Sequence, residues 1–264
     1  MRSVKIASQL GLAPGKDTLQ KFENLRKYGF EGVEVGGWGL KDMLGDVQKA
    51  SEKTGLPVTT ICAGYGGCPL DSDPKQRQIA VREAKELLSM AADLGAVGMI
   101  FVPIFGGPRV PDLSPLYNAI ELEKLLVAKI VEDLGQHAEK AGTLLLLEPL
   151  NRGETHFWQR LSDAVEIAEK VASPGVKIMA DFYHMNIEEP HLDESIREAG
   201  DWIAHVHLAD SHRQQPGTGH TDFKSGFKAL KDIGFDQYMA LECGITGDPE
   251  KALPACVEYL KSCI

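Results

Sequence analysis

The sequence predicts one α/β domain, a (β/α)8 barrel that spans residues 1–264. Eight short apolar segments alternate with longer amphipathic segments, and no change of composition divides the chain. The length of 264 residues suits this fold, for which about 250 residues are typical. An open, doubly wound sheet is the alternative. No GxGxxG sequence follows the first apolar segment, which weakens the dinucleotide-binding form of that alternative.

The eight predicted strands are apolar runs bounded by turn-forming residues. They lie at residues 4–10, 32–37, 57–64, 96–104, 143–150, 176–184, 203–210 and 238–243. Longer segments with helical periodicity separate most of them. This order of elements is typical of a parallel sheet that closes on itself.

The predicted helices are amphipathic segments at residues 18–30, 74–96, 119–142, 161–173, 222–234 and 248–262. The segment at 74–96 follows Asp73, a natural helix cap, and has Pro74 at its first position. Gly142 ends another segment, as glycine commonly does at the C-terminus of a helix. These signals place a helix before most of the predicted strands.

The overall composition excludes several classes of protein. A net charge of −10 and a pI near 5.3 disfavour nucleic-acid binding, because an acidic surface repels phosphate groups. Five cysteines in a chain of this size do not indicate a disulfide framework. No apolar run reaches the roughly 18 residues of a membrane span, and the first apolar stretch is too short for a signal peptide. We therefore expect a cytoplasmic protein with no membrane partner.

Acidic and imidazole side chains stand at the ends of four successive predicted strands. In a barrel of this kind, the carboxyl ends of the strands build the active site. The residues at these positions are Glu148, Asp181, His207 and Glu242. Glu148 directly follows an apolar run, where an ionised carboxylate needs a partner. Two glutamates, one aspartate and one histidine suit Mn²⁺, Mg²⁺ or Co²⁺, and we expect one Mn²⁺ ion.

Other interpretations of these polar residues stay open at this point. A single strand-end carboxylate is often a helix cap or a salt-bridge partner, but four on adjacent strands favour a shared site. His205 shares a strand face with His207, so it either faces inward as well or is a hydrogen-bonded core residue. Arg152 either supports Glu148 or forms an ordinary surface salt bridge.

Four segments of the sequence resemble a known group of enzymes. They are LEPLNRGE at 147–154, DFYHM at 181–185, HVHLADSHRQQPGTGHTDF at 205–223 and LEC at 241–243. Together they resemble the sugar isomerase/epimerase superfamily of xylose-isomerase-like TIM barrels. The pattern is most similar to the D-tagatose 3-epimerase and D-psicose 3-epimerase branch. His212 departs from it, because that branch usually has asparagine there.

The resemblance implies a metal site, a substrate site and an oligomer. The implied metal ligands are Glu148, Asp181, His207 and Glu242. The implied substrate contacts are Glu154, His184, Arg213 and Cys62. The implied substrate is a small sugar or keto-sugar, and the implied assembly is a homodimer or homotetramer. The glycine-containing segment GITGDPE at 244–250 has no basic residue, which favours a substrate without phosphate.

The implied activity is that of a ketose 3-epimerase acting through a metal-stabilised cis-enediolate. A divalent metal acts as a Lewis acid on the carbonyl oxygen and the neighbouring hydroxyl of the substrate. Epimerisation removes a proton from one face of a carbon and returns it on the other face. It therefore needs two acid/base groups, for which Glu148 and Glu242 are the candidates.

Alternative functions stay open on the same residues. An aldose–ketose isomerase, a hydroxypyruvate isomerase and an inosose dehydratase-like lyase would use a similar metal site. Endonuclease IV resembles the same fold but needs more histidines, and the sequence has none before His137. A non-catalytic sugar-binding barrel is the alternative of another class, although a pure binder would not need both glutamates.

Overall fold

Eight parallel strands form a closed barrel in the computed structural model, which describes residues 5–264. The strands are β1 (Lys5–Gln9), β2 (Gly32–Gly36), β3 (Val58–Cys62), β4 (Gly98–Phe101), β5 (Leu144–Leu147), β6 (Val176–Asp181), β7 (Ile203–Leu208) and β8 (Tyr238–Leu241). Each strand pairs with the next along the chain, and β8 pairs with β1. The predicted barrel and its eight strands are confirmed, and each strand ends slightly earlier than the sequence predicts.

Helices surround the barrel. They are α1 (Thr18–Lys27), α2 (Leu40–Thr54), α3 (Pro74–Asp93), α4 (Ala119–Ala141), α5 (Leu161–Val171), α6 (Phe182–Glu188), α7 (Leu192–Ala199), α8 (Phe223–Asp232) and α9 (Pro249–Cys263). The six predicted helices correspond to α1, α3, α4, α5, α8 and α9. Asp73 caps α3 by accepting a hydrogen bond from the backbone N–H of Lys75, as its position predicts.

Three helices, α2, α6 and α7, were not predicted, and the local sequences of α2 and α6 explain why those two were missed. No side chain caps the start of α2, and Gly39 precedes it in the left-handed conformation. The helix α6 follows β6 without a break, so the sequence from 176 to 184 reads as one apolar run. The side chain of Asp181 ends the strand by accepting hydrogen bonds from the backbone N–H groups of Tyr183 and His184.

The hydrophobic core has two parts. The larger part lies between the strands and the helices and includes Leu145 and Leu147 of β5. A smaller cluster includes Leu144 and Leu146 of the same strand, together with Ile100 and Met179. Because side chains alternate along a strand, these residues face the barrel interior, and Glu148 continues their side of β5. The interior is thus apolar along part of its length and polar at the carboxyl ends of the strands.

Two global expectations can be compared with the described residues. All five cysteines are free thiols, as the sequence predicts. Within residues 5–264, no helix combines the length and apolar character needed to cross a membrane.

Candidate metal and catalytic centre

Four side chains converge at the carboxyl ends of neighbouring strands. Asp181 and His207 lie opposite each other on β6 and β7, whereas Glu148 and Glu242 directly follow β5 and β8. The Nδ1 atom of His207 lies 3.2 Å from Glu242 Oε2, 3.6 Å from Glu148 Oε1 and 3.6 Å from Asp181 Oδ2. Candidate ligand atoms of all four residues lie within 4.8 Å of one another. The structure therefore brings the whole predicted ligand set together.

The arrangement fits a divalent cation. His207 Nδ1 and Glu148 Oε1 are buried and have no hydrogen-bond partner in the described part of the chain. Buried polar atoms without partners are costly, and three carboxylates around one position repel one another. A cation held by three carboxylates and one imidazole would satisfy these atoms and offset the negative charge. This mixture of oxygen and nitrogen donors is typical of Mn²⁺, Mg²⁺ or Co²⁺ sites rather than thiolate zinc sites.

The acid/base candidates differ in their affinity for protons. Burial raises the pKa of Glu148 to about 7, and the charge of Glu242 adds to this effect while His207 opposes it. The pKa of Glu242 lies below its usual range. Burial by itself would raise it, but the interactions with the positively charged His207 have the larger effect. Two carboxyl groups whose pKa values are driven apart can divide the roles of proton donor and acceptor.

A further carboxylate, Glu34 of β2, lies behind His207 and was missed by the sequence analysis. His207 Nε2 lies 3.0 Å from both carboxylate oxygens of Glu34, and His205 Nε2 lies 2.9 Å from Glu34 Oε2. His205 is thus an inward-facing, hydrogen-bonded core residue. A charged residue inside the apolar run GVEV was the available signal. Glu34 was missed because it lies in the middle of β2, whereas the search for site residues considered only the ends of the strands.

The candidate substrate contacts from β5 and β6 lie beside this cluster. His184 of α6 accepts hydrogen bonds at Nδ1 from the backbone N–H and the side-chain amide of Asn151, at 3.2 and 2.8 Å. These bonds place the proton of a neutral His184 on Nε2, which is buried, has no hydrogen-bond partner among residues 5–264 and lies 3.8 Å from Asp181 Oδ2. The same Asn151 amide donates to Glu154 Oε1 at 3.1 Å. His184 therefore presents an N–H donor to the centre.

Arg213 connects the remaining candidate contacts to Glu242. Its guanidinium pairs with Glu154 and lies 3.4 Å from Glu242 Oε2. Arg213 has φ of +59°, a left-handed conformation that costs a residue with a side chain about 1 kcal/mol or more. Cys62 Sγ lies 3.5 Å from Glu242 Oε1, and burial, followed by the charge of Glu34, raises the pKa of this thiol. Cys62 therefore stays a neutral donor near Glu242.

Asp210 organises the loop that carries Arg213, and the sequence analysis did not single it out. Its buried carboxylate accepts hydrogen bonds from five backbone N–H groups, those of Ser211, Gly217, Thr218, Gly219 and Thr221. The backbone N–H of Arg213 also donates to the carbonyl oxygen of Asp210, at 2.8 Å. One buried side chain thus fixes both ends of this loop.

Arg152 takes the salt-bridge alternative. It donates from its backbone and its guanidinium to Glu188 of α6, whose side chain is buried. Among residues 5–264, its hydrogen bonds and its ion pair all go to Glu188 and none goes to Glu148. Instead, the Nε1–H of Trp158 donates to the Glu148 carbonyl oxygen at 2.9 Å, and Trp158 packs beside Phe101 in the core. This contact supports the backbone that carries the candidate base.

Comparisons with known proteins agree with the fold and show which proteins this chain resembles. A family model described as xylose isomerase-like TIM barrel matches residues 22–263. A 3-dehydro-D-guloside 4-epimerase of Escherichia coli is 34% identical over 98% of this chain and 100% of its own length. A D-psicose 3-epimerase of Enterocloster bolteae is 27% identical over 85% of this chain and 78% of its length. The crystal structure of a 3-keto-D-glucoside 4-epimerase from E. coli superposes with a TM-score of 0.90 at 32% identity, covering 99% and 100% of the two chains.

Proposed function

The chain belongs to the xylose isomerase-like TIM barrel family, and from this we propose that it is a metal-dependent sugar epimerase. The reaction inverts a hydroxyl-bearing carbon next to a ketone. The observation that carries the proposal is the pair Glu148 and Glu242. Both carboxylates lie within 3.6 Å of His207 Nδ1, and their pKa values move in opposite directions.

Glu148, Asp181, His207 and Glu242 would hold the metal. When bound, a divalent cation supplies Lewis-acid stabilisation of the negative charge on the substrate's carbonyl and hydroxyl oxygens. Glu148 and Glu242 act as the two acid/base groups, one taking the proton from the carbon and the other returning a proton to its opposite face. They follow β5 and β8, with β6 and β7 between them, so they approach the substrate from different sides. A positioned base of this kind contributes about 10²–10⁴-fold to the rate.

The remaining residues bind and orient the sugar. His184 donates its Nε2–H, because Asn151 occupies Nδ1. Arg213 and Glu154 form an ion pair next to Glu242 and offer both donors and acceptors to hydroxyl groups. The thiol of Cys62 lies 3.5 Å from Glu242 Oε1, the carboxylate oxygen that does not face Arg213, and helps to hold the Glu242 side chain in place. These groups keep the reacting carbon near both carboxylates.

Two substrate classes fit the same chemistry. Ketose 3-epimerases such as the D-psicose enzymes invert the carbon next to a C2 ketone, as our sequence-based hypothesis expects. The 4-epimerase relatives act on a 3-keto or 3-dehydro glycoside, in which C4 is likewise next to the ketone. The second class is supported by identities of 34% and 32% over nearly the whole chain. The two candidates differ in the size and ring form of the substrate, not in the role of either glutamate.

Proton exchange in D₂O distinguishes these candidates. We would incubate Mn²⁺-loaded protein with D-tagatose, D-psicose, D-fructose, L-ribulose, hydroxypyruvate and a methyl 3-keto-D-glucoside, and follow the products by NMR. Deuterium at C3 of a ketose with a new epimer supports the first class. Deuterium at C4 of the glycoside with a new epimer supports the second. Deuterium at C1 with an aldose product or with a rearranged hydroxypyruvate, loss of water, or silence over the whole panel would refute an epimerase.

Matched variants test the two-base assignment on the accepted substrate. Glu148→Gln and Glu242→Gln should each lose at least about 10²-fold in epimerisation rate. The control is Glu52→Gln, because Glu52 is exposed in the last turn of α2, which leads to the amino end of β3 rather than to the carboxyl ends that carry the site. Near wild-type turnover in either active-site variant contradicts the assignment. We also propose that the enzyme is a cytoplasmic homodimer or homotetramer, which analytical ultracentrifugation and cell fractionation test.

A further inference from the structure

The polar network behind the metal cluster assigns a role to Glu34. Glu34 is completely buried on β2, on the side of His207 opposite the three carboxylates that face Nδ1. Four side chains from three other strands, β1, β3 and β7, reach its carboxylate. They are Gln9 Nε2 at 3.0 Å, Thr60 Oγ1 at 2.6 Å, His205 Nε2 at 2.9 Å and His207 Nε2 at 3.0 Å.

An ionised carboxylate can only accept hydrogen bonds, so the four neighbours must all donate to it. For His207 this places a proton on Nε2. The other ring nitrogen, Nδ1, then points at Glu148, Asp181 and Glu242 and is the nitrogen that binds a cation when the charged ring gives up its second proton. The contacts on the two sides of one imidazole ring thus specify which nitrogen binds metal.

We propose that Glu34 is a positioning residue that holds the Nε2 proton of His207 and so makes Nδ1 the metal ligand. This inference rests on the proposed metal site. Carboxylate partners of metal-bound histidines fix the orientation of the ring and increase its basicity. Gln9 extends the effect, because its single amide nitrogen donates both to Glu34 Oε1 and to Glu242 Oε1, at 3.0 Å each. Glu34 therefore constrains one ligand directly and a second through Gln9.

The variant Glu34→Gln tests this role with a nearly isosteric side chain. An amide offers one acceptor oxygen, and its NH₂ group faces N–H donors that the carboxylate accepted. His207 Nε2 lies 3.0 Å from both carboxylate oxygens, so it faces the NH₂ group in either orientation of the amide. It can accept a hydrogen bond from that group only if its proton moves to Nδ1, where the proton blocks the metal. We expect the Kd for Mn²⁺, measured by calorimetry on the metal-free full chain, to rise about 10–100-fold.

Thr60→Val is the matched control. It removes another hydrogen bond to the same carboxylate and nearly conserves volume, but it leaves the contact between Glu34 and His207 intact. We expect its Kd for Mn²⁺ to stay within about threefold of wild type. An equal weakening in Thr60→Val would show that general loosening of the network is responsible, and it would overturn the inference.

The outcomes separate this inference from the proposed function. Wild-type protein that fails to bind Mn²⁺ overturns the metal site and the role of Glu34 together. Wild-type binding with an unchanged Kd in folded Glu34→Gln overturns only the role of Glu34. Circular dichroism establishes whether the variant is folded.

If Glu34→Gln does not fold, NMR of the wild type decides. In ¹⁵N-histidine-labelled protein saturated with diamagnetic Mg²⁺, the long-range ¹H–¹⁵N spectrum should show His207 protonated at Nε2 and not at Nδ1. The variant His205→Gln distinguishes the signals of the two neighbouring histidines. A proton on Nδ1 of His207 would overturn the inference.

Discussion

Replacing Asp210 by asparagine should destabilise the protein far more than the same change at an exposed cap. The carboxylate accepts five backbone hydrogen bonds at 2.8–3.0 Å. Its Oδ1 atom serves two of these donors and its Oδ2 atom serves three. Asparagine can keep one oxygen for the pair Ser211 and Thr221, but its NH₂ group would then face the three N–H groups of residues 217–219.

The expected loss follows from these three bonds. A hydrogen bond to a charged group contributes about 1.5–3 kcal/mol, and a buried donor left without a partner costs about 1–3 kcal/mol. With partial relaxation of the loop towards water, we expect the free energy of unfolding to fall by about 3–5 kcal/mol. For a chain of this size that corresponds to a decrease in Tm of roughly 6–15 °C. Because the loop carries Arg213, KM for the sugar should also rise.

The control is Asp222→Asn, since Asp222 caps α8 through one backbone N–H and asparagine is an equally good cap. Urea unfolding of both variants and the wild type gives the free energies. Burial raises the pKa of Asp210, but the converging backbone N–H groups outweigh it and hold this pKa below its usual range. The stability that Asp210 contributes is therefore complete above about pH 4 and is lost as pH falls through its folded pKa. If Asp210→Asn loses no more stability than Asp222→Asn at pH 7, the reasoning is wrong.

Three further predictions address the metal, a buried ion pair and a crowded turn. The Kd for Mn²⁺ should rise about tenfold for each pH unit below 7. Burial raises the pKa of Glu148 to about 7, so below that pH a proton on Glu148 competes with the metal. An equal Kd at pH 6 and pH 8 in calorimetry would contradict this. Arg152→Met should cost about 1–3 kcal/mol at pH 7, since it leaves Glu188 buried without its guanidinium partner. Arg152 holds the pKa of Glu188 below its usual range, so this cost should shrink as pH falls below about 4, and urea unfolding at the two pH values checks it. Gly37→Ala should cost about 1–3 kcal/mol or more, because its Cβ would lie 1.9 Å from a carbonyl oxygen of the loop after β3. Gly36→Ala meets nothing within 4 Å and should leave Tm unchanged or slightly higher, and equal losses in the two glycine variants would count against the steric explanation.

Local patterns were sufficient to predict the fold and to group the candidate metal ligands. Strands and helices differ in the period of their apolar residues, which can be read without knowing any long-range contact. Once the strands of a barrel are located, their carboxyl ends must meet at one rim, so Glu148, Asp181, His207 and Glu242 could be grouped. The sequence analysis missed α2 because this helix has no side-chain cap, and it missed α6 because β6 continues directly into that helix.

Contacts between distant parts of the chain depended on the tertiary structure. Whether Arg152 faced Glu148 or another partner was open until the fold placed Glu188 of α6 next to it. The tautomer of His184 likewise follows from Asn151, which approaches from the loop after β5. A rotation of either loop would change these partners without changing any periodicity in the sequence.

The sequence alone determined the alternation of strands and helices, the barrel and the four strand-end residues, because each of these depends on local patterning. Only the tertiary structure decided how these residues are supported. Glu34 and His207 are far apart in the chain, and their contact depends on the stagger of strands around the closed barrel. That stagger aligns β2 and β7 across the interior. The carboxylate of Glu34 therefore lies at Nε2 of His207, whereas Nδ1 of the same ring faces the three carboxylates of the candidate metal site.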